Sequence, residues 1–171
     1  MSTEEQERLV ACATPHLRNI ITFAALTGLR SGDVFGLKWV DVDLDSGICR
    51  VFVSKTKQRK VMPLADAAVG LLKGMVRDSE YIFTYKGKPI KSIKTSFAKA
   101  KRKAGLADRP GLTPHSCRHI FVTRMWEAGG GRRHDKGGHP THERGNVGQI
   151  QAFIARRTQV KGSVEQRGGE T

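Results

Sequence analysis

The apolar pattern of this chain stops at Gly129. From Gly129 to Asn146, about 18 residues, the chain runs GlyGlyGlyArgArgHisAspLysGlyGlyHisProThrHisGluArgGlyAsn. A stretch so rich in Gly and charge and so poor in apolar side chains cannot contribute to a core. Only GlnIleGlnAlaPheIle, at 149–154, regains some amphipathic character before a polar, Gly-rich end. The foldable part is therefore expected to end near residue 128, with 129–171 as an anomalous, poorly ordered tail. One domain fits 1–128, and there is no internal repeat.

Upstream of that break, periodicity and caps can be read in order. Ser2 and Glu5 form a capping-box pattern that opens a helix to about Ala13. Leu17, Ile20, Ile21, Ala24 and Ala25 recur at helical spacing after Pro15, and Gly28 supplies the left-handed stop. Ser31, with Asp33 in the first turn, suits the cap of a short third helix through Leu37, which sets Arg30 just ahead of a helix start. Strand formers at 47–53 and again at 60–64 flank SerLysThrLysGlnArg, so a β-hairpin with a basic tip is expected. Residues 64–77 read as helix and 81–84 as a short strand. A helix over 92–105 turns Ile93 and Phe97 inward and its lysines outward, and Thr113 with Pro114 opens a last helix to about Ala128. The fold class is α+β, mainly helical with a small antiparallel β-hairpin or sheet.

Thirty Lys and Arg against 16 Asp and Glu leave a formal net charge of +14, which favours a polyanionic partner, a nucleic acid first among them, or else serves only to keep a basic protein in solution. Cys12, Cys49 and Cys117 are an odd, widely spaced set, so neither a disulfide framework nor a four-thiolate zinc site is indicated. No apolar run is long enough to cross a bilayer, and MetSerThrGluGluGlnGluArg is unlike a signal peptide. A reduced, cytoplasmic setting is expected, with no membrane partner and no cofactor.

The residues that can carry chemistry are few. On the last helix His115, Arg118 and His119 share one face, while Cys117, Ile120 and Phe121 lie on another. In isolation that polar face also suits mere solvation. A zinc reading of His115 and His119 lacks the Glu of HisGluXaaXaaHis and a third ligand, so no metal is expected. Arg30, beside a helix start, is placed to grip an anion, or simply to make surface contacts. Lys55 and Lys57 at the hairpin tip are either solvated or able to enter a DNA groove or protonate a leaving oxygen.

Read together, three ordered boxes resemble the catalytic domain of the tyrosine recombinase, or phage integrase, family over roughly residues 3–128. ThrGlyLeuArgSerGlyAspValPheGlyLeuLysTrpValAspValAsp at 27–43 resembles the first arginine box. SerLysThrLysGlnArgLysValMetProLeu at 54–64 is similar to the lysine hairpin, and LeuThrProHisSerCysArgHisIlePheValThr at 112–123 to the HisXaaXaaArg box. The resemblance implies the DNA breaking-rejoining fold of that family and a division of labour. Arg30 and Arg118 would clamp the non-bridging oxygens of the scissile phosphate. Lys55 would protonate the departing 5′-oxygen, with Lys57 taking its place if the hairpin register slips by one. His115 would hold the phosphate or assist proton transfer, with Asp33 and His119 in support.

The family reaction also needs a tyrosine that attacks the phosphate and forms a 3′-phosphotyrosine link. The only tyrosines, Tyr81 and Tyr85, precede the HisXaaXaaArg box, whereas the family nucleophile follows it; in that register stands Ile150. Gly138 and His139 resemble the family's GlyHis pair but fall early. Reading the codons of 130–150 one nucleotide later permits AlaAspValValThrIleLysGluVal over 130–138, a histidine in place of Thr141 and ArgTyr in place of residues 149 and 150. A frame shift near Gly129 is compatible with the pattern, and a divergent natural tail is the alternative. The resemblance thus implies site-specific DNA recombination or integration by a chain that is inactive alone. Its alternatives are a catalytically dead DNA-binding regulator, or a subunit supplied with a tyrosine in trans by another recombinase subunit. Relatives of this type carry an N-terminal helical DNA clamp, and this chain begins almost at the catalytic domain, so weak specific binding is expected; loss of the helix that normally follows Gly129 would expose apolar core, so marginal stability is expected as well.

Overall fold

The computed structural model describes residues 2–53 and 57–127, with side chains to Val122. Six helices and two small antiparallel sheets occur in the order α1 (Thr3–Ala11), α2 (Pro15–Thr27), α3 (Ser31–Phe35), a single 3-10 turn (Trp39–Asp41), β1 (Val42–Asp43), β2 (Ile48–Val53), β3 (Gln58–Pro63), α4 (Asp66–Lys73), β4 (Thr84–Tyr85), β5 (Lys88–Pro89), α5 (Lys94–Lys103) and α6 (Ser116–Glu127).

The capping box of α1 forms as the sequence indicates: Ser2 Oγ accepts from the Glu5 amide at 3.1 Å, and Glu5 accepts from the Ser2 amide at 2.7 Å. Pro15 occupies the first turn of α2, and Gly28 ends that helix with φ 66°. α2 is the spine of the core. Leu17, Ile20, Ile21 and Phe23 are fully buried along it, and it packs against α1, α3, α4 and α6. Its residues are apolar around most of the helix because neighbours cover it on several sides. Phe23 meets Phe83 at 5.3 Å between ring centroids.

The expected hairpin is the larger part of a three-stranded sheet, ordered β1-β2-β3. Cys49 pairs with Met62 and faces the core, whereas Arg50 pairs with Val61 and Phe52 with Arg59 on the outer face. β1 adds a strand that the sequence pattern does not signal. Asp43 Oδ1 accepts from the amides of Asp45 and Ser46 at 3.1 Å each, which turns the chain from β1 into β2. Several bounds also shift. The strand expected at 81–84 forms at Thr84–Tyr85 instead, as half of a tight hairpin with Lys88–Pro89, and Tyr81 makes only an isolated bridge to Lys38. Lys86 (φ 52°) and Gly87 (φ 71°) carry the positive dihedrals that a type I′ turn requires. α4 is shorter than the 64–77 expected.

Two starts differ in kind. Ser31 is the first helical residue of α3, and the capping position belongs to Arg30, which makes no side-chain cap bond. α6 begins at Ser116, because the Ser116 hydroxyl accepts from the Thr113 amide (3.0 Å) and donates to the Gly111 carbonyl (3.1 Å), holding 113–115 as a turn. His115 therefore precedes the helix. The tail, with His139 and Ile150, and the hairpin tip, with Lys55, lie outside the described residues.

Candidate functional site

Two segments far apart in the chain meet at the end of α2. Gly28 closes that helix, Arg30 follows two residues later, and α3 carries Asp33, which is 6% exposed, in its first turn. α6 approaches from the other side. Arg118 is half-buried there, and its Nη1 donates to the Gly28 carbonyl at 2.7 Å across a separation of 90 residues.

The electrostatics place the charges together. Burial is the main reason the Arg118 guanidinium lies below its ordinary pKa; the positive charge of Arg30 pushes the same way, and the Asp33 carboxylate opposes both. Two guanidiniums and one buried carboxylate thus fall within electrostatic reach of one another, with positive charge in excess. With one Arg118 N–H given to Gly28, such a pair offers up to nine further N–H donors in two planar forks, a donor set that suits the oxygens of a phosphodiester.

His115 is exposed in the turn before α6 and His119 is half-buried on its first turns. Their rings meet edge to face, with centroids 5.5 Å apart, so the pair stays together although His115 is not helical. Lys57 is exposed at the start of the return strand, with φ 51°. The two tyrosines make contacts elsewhere: the Lys38 ammonium lies 4.9 Å from the Tyr81 ring centroid, and Tyr85 packs on His16 at 4.4 Å. Among the described residues no group of three or more His, Cys, Asp or Glu is arranged to hold a metal ion, and no helix is long and apolar enough to cross a membrane.

Sequence reasoning missed the part played by the backbone at Gly28. Its glycine was legible as a helix stop; the guanidinium that its carbonyl holds was not, because nothing local marks a contact with α6.

A mainly helical α+β domain with small antiparallel sheets, in which Arg118 is fixed to the end of α2 within reach of Arg30 and Asp33, has the architecture of a tyrosine recombinase catalytic domain. The chain belongs to the phage integrase family, whose model matches residues 1–134. It is 33% identical to tyrosine recombinase XerC of Xanthomonas campestris over 63% of this chain and 35% of that protein. It is 31% identical to tyrosine recombinase XerD of Neisseria meningitidis, over 74% of this chain and 49% of that protein. The lambda integrase catalytic core has the same fold, with a TM-score of 0.65 and 23% identity over 75% of this chain and 87% of that one. The chain therefore spans between a third and a half of the length of these two recombinases.

Proposed function

We propose that residues 1–128 form the catalytic-domain part of a site-specific DNA recombinase, acting on double-stranded DNA in the cytoplasm. The observation that carries this reading is the hydrogen bond from Arg118 to the Gly28 carbonyl, two residues before Arg30, which sets Arg118 within electrostatic reach of Arg30 and the buried Asp33. In it, the two arginines grip the non-bridging oxygens of one phosphodiester and offset the charge of a pentavalent transition state without a metal. Asp33 braces the pair, His115 holds the phosphate or assists proton transfer, and His119 supports it. Lys55, or Lys57 in the alternative register, protonates the departing 5′-oxygen.

The nucleophile is the missing component. Neither tyrosine of the 171 residues follows the HisXaaXaaArg box, so this chain binds the phosphate without cutting the strand. Lambda integrase, of similar fold, has been solved as a tetramer on a Holliday junction; by the same logic the partners proposed here are DNA and further recombinase subunits.

The test is binding of a short duplex at several salt concentrations. Arg30→Ala and Arg118→Ala should each weaken binding and lower the slope of log affinity against log salt by about 0.9, the loss of one phosphate contact. An unchanged slope in both variants would remove the phosphate clamp from the reading.

A further inference from the structure

We propose that the backbone carbonyl of Gly28 is the positioning group of the arginine clamp, and that Gly28 and Phe121 together set the separation of Arg30 and Arg118. The proposal rests on the reading of those two guanidiniums as a phosphate clamp.

α6 meets the end of α2 through both Arg118 and Phe121; the sequence pattern assigns them to different faces, but three residues apart they are neighbours on the helix surface and both reach Gly28. Arg118 Nη1 donates to the Gly28 oxygen at 2.7 Å. The Phe121 ring fills the space beside the same residue: a Cβ on Gly28 would stand 2.8 Å from Cε1 and 2.9 Å from Cγ. The left-handed φ of 66° further disfavours any side chain there. One glycine is thus held by both residues, and only a residue without a side chain lets α6 come close enough for Arg118 to reach the carbonyl.

The acceptor's chemistry suits the task. A carbonyl at the C-terminal end of the thirteen-residue α2 carries partial negative charge and holds a guanidinium without neutralising it. One of the five N–H donors is spent on that bond, and the others stay available to an anion. Arg30 stands two residues further along the same backbone. Fixing Arg118 to the Gly28 oxygen therefore ties both arginines to one short, rigid stretch, against the repulsion between them. A glycine that only ended α2 would need neither the bond to Arg118 nor the ring of Phe121.

The test uses the full chain with Leu29 replaced by its α-hydroxy acid. This turns the amide after Gly28 into an ester, weakens that carbonyl as an acceptor and leaves all other side chains in place. Inorganic phosphate is the probe, followed through the Nε–H signals of Arg30 and Arg118. The expected result is about tenfold weaker phosphate binding and about tenfold faster exchange of the Arg118 Nη protons. The ester also removes the long Leu29 amide bond to Thr27 Oγ1 (3.4 Å); Thr27→Val, which removes that bond together with the Thr27 hydroxyl's donation to the Phe23 carbonyl (2.7 Å) and keeps the Gly28 carbonyl, should bind phosphate as the unmodified chain does. Unchanged affinity and unchanged exchange in the ester would overturn the proposal. Should the ester fail to fold, a scalar coupling across the hydrogen bond from Arg118 Nη1 to the Gly28 carbonyl carbon decides in the unmodified chain: its presence supports the proposal and its absence overturns it. No phosphate response at either arginine of the unmodified chain would sink the clamp reading instead, while the coupling still reports on Gly28.

Discussion

Burial pushes the Cys49 and Cys117 thiols up to about 12, since neither can ionise without leaving a charge in apolar surroundings. Cys12 is only half-buried, so its sulfur is the most accessible of the three. A thiol reagent at neutral pH should therefore modify Cys12 first, with Cys49 and Cys117 labelled only on unfolding; fast labelling of all three in the native protein would contradict the core described. Because both folded values are raised, the two thiols' contribution to stability is fully present below the unfolded value near 9 and is lost as pH rises from 9 towards 12. At Gly28 the cost of a methyl group has two sources, the Phe121 ring and the positive φ. Gly28→Ala should lower stability by about 1–3 kcal/mol, and Phe121→Ala in the same background should not restore it, because the backbone strain remains. Denaturant unfolding of both variants reads this directly.

Elements with local determinants are legible in the sequence itself. The α1 capping box, the glycine stop of α2 and the inward face of α5 depend on residues within a turn of one another, and all three form as the sequence indicates. Ser2→Ala should cost about 1 kcal/mol by urea unfolding. The Glu5 carboxyl is held below its usual range first by the Ser2 amide and then by Arg109, so its contribution holds above about 4.5 and is lost as pH falls below that. Other elements are legible only in part. The β4-β5 turn uses Lys-Gly where Asn-Gly is the strongest signal, and Lys86 must accept a φ of 52°. Lys86→Asn should therefore raise stability by a few tenths of a kcal/mol, about 1–2 °C in melting temperature. At α6 the Ser116 hydroxyl outcompetes the Thr113–Pro114 start, because it bonds both Thr113 and Gly111. A short side chain with two partners overrides a sound local signal.

Across the whole molecule, contacts over long separations complete what the elements begin. Glu5 on α1 pairs with Arg109 in the loop before α6 at 2.6 Å, and Arg8 donates to the Ala104 carbonyl at the end of α5, so the N-terminal helix is fastened to the segment that leads into the site. Incubation with a nicked suicide substrate should give no covalent protein–DNA adduct, since no tyrosine follows Arg118. An arginine-mutated but tyrosine-bearing relative should restore cleavage if the chain accepts a tyrosine in trans, and should only compete for sites if it does not. The sequence by itself determined the basic charge, the order of helices and hairpin, and the identity of the residues that could meet a phosphate. These are properties of composition and of neighbours within about four positions, where backbone geometry limits the choices. Only the tertiary structure decided that Arg118 rests on the Gly28 carbonyl beside Arg30 and Asp33. That meeting depends on how α6 packs over the end of α2, and packing is set by the shape of a whole core, which no local stretch of residues encodes.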